Sequence, residues 1–311
     1  MRVVSLVPAA TEIVGALGLT ELLVAVSHDC DHPGAVADLP RITHCEIHGR
    51  DLPSVEIDRW VRETLAARGT LYTIDEPLLR RLAPDVILTQ RLCDVCAPSY
   101  GSVAALAETL DHIPRLVNLE PTSLAEVLGD VRSVAEAIGA AERGTGLAAA
   151  LEARIEAVRS RASDTPHRPT CAVIEWLDPL FGGGHWGPEL VEIAGGADLI
   201  GRPHAPSARV TWEDLVAAEP EVLVIACCGN DVATTLRELP LLTGRNGWGD
   251  LPAVRAGRVH VADGSAYFSR PGPRIVDTLE ILAGIMDPER FPEWAPSARP
   301  DAEVTTLLGP P

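Results

Sequence analysis

Short apolar runs that each empty into a burst of polar residues alternate along this chain with stretches of helical period. Arg2–Pro8 reads as a strand buried on both faces, and Ala9–Leu17 follows as a helix closed by Gly18, where glycine ends a helix at little cost. Leu22–Ser27, Pro84–Gln90 and Arg115–Leu119 have the same continuous apolar character and read as further strands, with helices over Ser54–Arg68 and Pro77–Leu82 between them. From Ser123 to about Arg161 Leu, Val, Ala and Ile recur on one helical face, and the glycines between Gly139 and Gly146 mark a point where this helix can divide. Asp164-Thr165-Pro166-His167-Arg168-Pro169 stops it, because two prolines cannot continue a helix.

The second half repeats the plan. Strands at Thr170–Trp176, Val222–Ala226 and Val259–Asp263 alternate with helices at Pro188–Ala194, Val232–Arg237 and Gly272–Ile285. Strands alternating with helices imply parallel sheets, whose ligands gather outside the carboxyl ends of the strands. The expected fold class is therefore α/β, with two Rossmann-like lobes of parallel sheet joined by a long backbone helix and a ligand cleft between the lobes. The predicted divisions are an N-terminal lobe over 1–121, a linking helix over 122–165, a C-terminal lobe over 166–290 and a Pro-rich tail over 291–311 lying loosely on the surface.

Charge narrows the function classes. A net charge of −18 repels a phosphate backbone, so no nucleic-acid partner is expected. All 26 lysine-plus-arginine positions are arginine, which excludes a lysine Schiff base and a Walker-type phosphate loop. No apolar run reaches the roughly 18–20 residues of a membrane-spanning helix. The opening Met1-Arg2-Val3-Val4-Ser5 enters a strand at once without the features of a signal peptide, so the expected location is the cytoplasm, where the seven cysteines are thiols or ligands and not a disulfide framework.

The polar bursts concentrate unusual chemistry at strand ends: His28-Asp29-Cys30-Asp31, Gln90 to Cys96, Glu175-Trp176-Leu177-Asp178 with His185-Trp186, Cys227-Cys228-Gly229, and Asp263 to Arg270. Ser5, Pro8, His28, Asp29, Gln90, Glu175, Trp176, His185, Trp186, Tyr267 and Arg270 are the candidate contacts to a small-molecule ligand. His28, Cys30, Cys93, Cys96, His185 and Cys228 are candidate donors to a protein-bound transition metal, zinc or iron, and Glu175 is a candidate acid or base. Cys93-Asp94-Val95-Cys96 has the C-x-x-C spacing of a redox pair or half a zinc site, and equally of two small side chains packing a loop; no second such pair exists to complete a four-cysteine ribbon. Gly182-Gly183-Gly184 reads as a flexible approach to His185 and Trp186, and the Ser265–Arg274 stretch as a helix entry with arginines beside free N–H groups. The chain has neither a G-x-S-x-G elbow nor an H-E-x-x-H zinc motif.

Val3-Val4-Ser5-Leu6-Val7-Pro8-Ala9-Ala10-Thr11-Glu12, the Pro84–Leu88 strand, the long central helix and Leu251-Pro252-Ala253-Val254-Arg255-Ala256-Gly257-Arg258-Val259 together resemble the cobalamin-binding proteins among the class III, helical-backbone metal receptors of the periplasmic binding protein superfamily. The similarity runs over roughly residues 2–287. It implies two lobes on a rigid helix and cobalamin or another metal chelate as ligand, and it does not imply catalysis. It also implies acidic residues that dock each lobe onto an ABC transporter, with Glu12 or a neighbour as a counterpart, although the cytosolic N-terminus makes such docking doubtful. The alternative is a cytosolic metal-dependent enzyme or metal-handling protein on the same fold, using the Cys, His and Glu groups.

Overall fold

The computed structural model describes residues 1–92, 95, 97–164, 167–300 and 303–307. They divide into two compact units, and each has its own sheet. In the first unit β1 (Val3–Ser5), β2 (Leu23–Val26), β5 (Val86–Gln90) and β6 (Arg115–Leu119) form a parallel sheet in the order β2-β1-β5-β6. Every side chain of β1 is buried, as expected of a strand covered on both faces. Val4, Leu6, Ala25 and Ile87 pack with Leu79, Val103 and Leu110 in one apolar cluster. A small antiparallel pair, β3 (Thr43–Cys45) and β4 (Tyr72–Ile74), was not legible as strand in the sequence. These segments are three residues long and polar in part, and their pairing is fixed by long-range contact, with Ile42 N–H donating to Val26 O and Asp75 N–H donating to Ile42 O.

In the second unit β7 (Thr170–Leu177), β8 (Leu180–Gly182), β9 (Ala197–Asp198), β10 (Ala208–Arg209), β11 (Val222–Ile225), β12 (Val259–Ala262) and β13 (Val304–Leu307) make a mixed sheet ordered β10-β8-β7-β11-β12-β13, with β9 also on β7. Its centre, β7-β11-β12, is parallel. Local sequence sets the helix entries: Thr211 and Asp214 form a capping box before the Trp212–Ala218 helix, and Asp231 caps Val232–Glu238.

The central helical stretch is two helices, Leu124–Ala137 and Ala141–Ser163. Gly139 adopts φ 75° at the break, and a Cβ on Gly144 would sit 2.3 Å from Ala135 Cβ, so the second helix crosses the first at a distance only glycine permits. The boundary between the two units falls within the second of these helices, between Leu151 and Glu152. Beyond it, Arg154 Nε donates to Glu280 and its Nη2 to Asp277, while the Arg161 guanidinium lies 4.3 Å over the Phe291 ring.

The described part of the Pro-rich tail, residues 291–300 and 303–307, is docked, contrary to the expectation of a loose surface segment. Phe291 is fully buried, Val304 is 1% exposed, and β13 pairs antiparallel with β12. The reason lies in the preceding helix, Ile275–Met286. Nearly all of its residues are buried, and a helix apolar all round must be covered all round. The tail supplies part of that cover.

Gly284 tests this docking, because a Cβ there would lie 2.0 Å from the backbone oxygen of Trp294. Gly284→Ala is expected to destabilise the second unit by about 1–3 kcal/mol and to open the tail to limited proteolysis. Gly129→Ala, on a helix where an added Cβ meets nothing within 4 Å, is the control and should be neutral or slightly stabilising in denaturant unfolding.

Candidate functional site

In the first unit the turn after β2 carries a buried chain of polar contacts. Thr11 Oγ1–H donates to Ser5 Oγ at 2.8 Å, Ser5 Oγ–H donates to Val7 O at 3.0 Å, and Cys30 Sγ lies 3.0 Å from Thr11 Oγ1 and 3.1 Å from Ser27 Oγ. Ser5 and Cys30 are 0% and 1% exposed, so their polar atoms serve the interior, joining β1, the Pro8–Ala16 helix and the turn. Pro8 is the first residue of that helix, where its missing N–H is no loss. Glu12 is 2% exposed and offers no docking carboxylate on the surface.

His28 and Asp29 point elsewhere. His28 Nε2 is 3.3 Å from Asp29 Oδ2, and His48 Nδ1 is 3.0 Å from Asp29 Oδ1. The two imidazoles meet edge to face with centroids 4.8 Å apart, and the Tyr72 ring tilts over His28 at 5.3 Å. Thr43 Oγ1 accepts the His28 backbone N–H at 3.1 Å and lies 2.7 Å from His28 Nδ1. Burial holds the His28 imidazole below its ordinary pKa, against the opposing pull of Asp29. The sequence reading missed His48, Thr43 and Tyr72, because they sit on or beside the unrecognised β3-β4 pair. The density of imidazoles in His44-Cys45-Glu46-Ile47-His48 was the available signal. Cys30 does not join this donor group, and Cys93 and Cys96 lie outside the described residues. Tyr72 hydroxyl donates to the carbonyl of Val95, between those two cysteines. Gln90 ends β5, half-buried.

In the second unit the candidate residues converge at the carboxyl ends of β7, β11 and β12. Cys228 N–H donates to Glu175 O, and the N–H groups of Gly264 and Ser265 donate to Asn230 O, lacing the three strand ends together. Trp186 Nε1–H donates to Phe268 O at 3.2 Å, which joins the His185–Trp186 corner to the single π-helical turn Gly264–Phe268 that carries Tyr267. The His185 and Trp186 rings stack with centroids 5.5 Å apart, and His185 holds φ 50°. Trp176 turns its Nε1–H back to Asp178 O and packs on the apolar core. Arg270 is 7% exposed, with Nη2 donating to Ser265 Oγ at 3.3 Å, and Arg274 lies over the Tyr267 ring. Of the paired thiols, Cys227 is buried, which pushes its pKa to about 12, and Cys228 is exposed.

Glu175 is enclosed. Ser207 Oγ–H donates to its Oε2 and Gly184 N–H to its Oε1. The triple glycine above it is close-packed, not a flexible approach: a Cβ on Gly184 would meet Ser207 N at 2.3 Å, and one on Gly182 would meet Ile200 O at 3.0 Å. Burial raises the Glu175 carboxyl to about 7, against the two hydrogen bonds.

That shift fixes a pH dependence. An unfolded glutamate ionises near 4.5, whereas Glu175 in the folded chain keeps its proton to about 7. Between these values the folded state binds a proton that the unfolded state has lost, so stability falls as pH rises through that window and levels off above it. The full fall is at most roughly 3 kcal/mol. Glu175→Gln is expected to remove this contribution when unfolding is compared at about pH 5 and pH 8. Part of the slope should survive in the variant, since burial beside Glu126 and Glu120 raises Asp130 to about 7 as well.

Residues 3–266 match the family described as periplasmic binding protein. The chain is 23% identical over 283 residues to the vitamin B12-binding protein of Vibrio cholerae, covering 90% of this chain and 86% of that protein. It is 21% identical over 296 residues to an ABC transporter substrate-binding lipoprotein of Bacillus subtilis, covering 94% and 82%. Among solved structures, the periplasmic heme-binding protein of Roseiflexus superposes with a TM-score of 0.69 at 23% identity, over 92% of this chain and 97% of that one. These relatives overturn the cytoplasmic location: they are periplasmic or lipoprotein, and the opening residues, being strand β1, report on the fold and not on the address. The doubt about ABC transporter docking, which rested on that location, falls with it. No helix among the described residues is long and apolar enough to cross a membrane. The chain belongs to the periplasmic binding protein family.

Proposed function

We propose that this protein binds cobalamin or a related corrinoid and presents it to an ABC-type importer. The observation that carries this reading is the similarity to a vitamin B12-binding protein along 90% of the chain. The chemistry at the strand ends supports it. The second unit offers the half-exposed rings of His185 and Tyr267, surfaces suited to a large flat macrocycle, and the buried Trp186, stacked on His185 and bonded to Phe268 O, ties the His185 corner to the turn that carries Tyr267. The similar proteins are named for what they bind, so the enzyme alternative draws no support from them.

Purified protein titrated with hydroxocobalamin, and in parallel with hemin, is expected to retain one equivalent of the corrinoid through gel filtration, with a change in its visible spectrum. Tyr267→Ala should weaken that binding by about tenfold, near 1.4 kcal/mol, at unchanged thermal stability. Retention of hemin alone would transfer the assignment to porphyrins. Retention of neither would end it.

A further inference from the structure

We propose that the first unit carries a transition-metal site of its own, formed by His28, Asp29 and His48 and independent of any bound chelate. Their donor atoms lie within 4.8 Å of one another, and among the described residues no other group of His, Cys, Asp or Glu side chains gathers so closely. Two of the contacts have the spacing of a coordination shell. With metal bonds of about 2.0–2.2 Å, neighbouring donors in a tetrahedral or octahedral shell stand roughly 3.0–3.5 Å apart. The two measured edges are 3.3 Å, His28 Nε2 to Asp29 Oδ2, and 3.0 Å, His48 Nδ1 to Asp29 Oδ1. An ordinary hydrogen-bonded pair would account for one imidazole on the carboxylate. A second imidazole stands on its other oxygen, edge to face with the first, so that three donors share one neighbourhood.

The surroundings fix the ligands as metal sites require. Metal-binding histidines donate their second ring nitrogen to an oxygen that orients them. Thr43 Oγ1 is placed for this, 2.7 Å from His28 Nδ1 and itself held by the His28 backbone N–H, which leaves Nε2 facing Asp29. The Tyr72 ring braces the His28 ring. Exposure is graded across the group: the side chains of His28, Asp29 and His48 are 10%, 39% and 50% exposed. The site is thus anchored in the fold on one side and open to water on the other. Three protein ligands with an open position describe a site that can still accept a donor from solvent or from a cargo, unlike a closed structural zinc site. Two imidazoles and one carboxylate select borderline divalent ions such as Zn²⁺, Co²⁺ or Fe²⁺ over Ca²⁺ and Mg²⁺.

The test uses the full chain, stripped with chelator and free of corrinoid, titrated with Co²⁺ and followed by its visible ligand-field bands and by equilibrium dialysis. One equivalent is expected to bind, without the thiolate charge-transfer absorption that cysteine ligation would give. Asp29→Asn and His48→Ala should each weaken binding by about tenfold or more, while His112→Ala, an exposed histidine beside Asp85 in the same unit, should change nothing. His48 lies in an exposed turn, so its variant is expected to keep the wild-type circular dichroism and melting profile. Affinity unchanged in both Asp29→Asn and His48→Ala would overturn the site. So would binding lost on Cys93→Ser with Cys96→Ser but kept in those variants, since it would move the metal to the C-x-x-C pair. Because no corrinoid is present, failure here leaves the proposed cargo untouched, and failure to bind corrinoid leaves this site untouched.

Discussion

Parallel strands covered on both faces leave a chain few places for polar chemistry, and the rest of this protein follows from that constraint. β1 and β11 bury every side chain, and β12 does the same despite carrying His260, whose pKa burial and Arg258 drive down to about 4. Polar groups are displaced to the turns beyond the strands, where the path of each turn decides which are sealed and which emerge. Ser5 is the last residue of β1 and is sealed; its hydroxyl is committed to Thr11 and Val7. Cys227, two residues past β11, is still buried, and Cys228, one further, is exposed. His28, two past β2, emerges just far enough to meet Asp29 and His48.

The same need for cover explains features far from the strand ends. The Ile275–Met286 helix is buried at every position but Asp277, the tail supplies part of its cover, and Gly284 lets the backbone at Trp294 approach. Arg161 then stacks against Phe291 and Trp294 with its guanidinium while donating to Glu293. Arg154 pairs with Glu280 and Asp277, but at 40% side-chain exposure its ion pairs are screened and worth little by themselves. What they add is direction, setting how the Ala141–Ser163 helix seats against the Ile275–Met286 helix.

These relations were unequally legible in the sequence. Continuous apolar runs such as Val86–Leu88 and Val222–Ile225 announce central parallel strands, because burial on both faces leaves one choice of residue type. Thr43–Cys45 and Tyr72–Ile74 carry no such run. Twenty-six residues separate Cys45 from Tyr72, including a whole helix, and only the folded unit brings them together, so His48 and its neighbours stayed hidden with them. The tail is illegible for the opposite reason: its prolines suggest a loose segment, whereas what docks it is the buried helix before it. The glycines at 182–184 read as flexibility, yet their reason is contact, since Ser207 and Ile200 occupy the space where side chains would stand.

Glu175 shows how environment redirects a residue that composition alone marks as reactive. A strand-end glutamate beside His and Trp invites an acid or base role, which requires a carboxyl that can reach a substrate. Here both oxygens are taken, one by Ser207 and one by the Gly184 N–H, and the group is raised to about 7 by burial. Its bonds run to the backbone of the corner that presents His185 and Trp186, and to a serine whose own backbone lies against Gly184. Ionising the carboxyl strengthens its hold on both donors, and neutralising it relaxes that hold. The carboxyl is therefore a structural tie, joining the Gly184 backbone to the Ser207 hydroxyl beneath the His185–Trp186 corner.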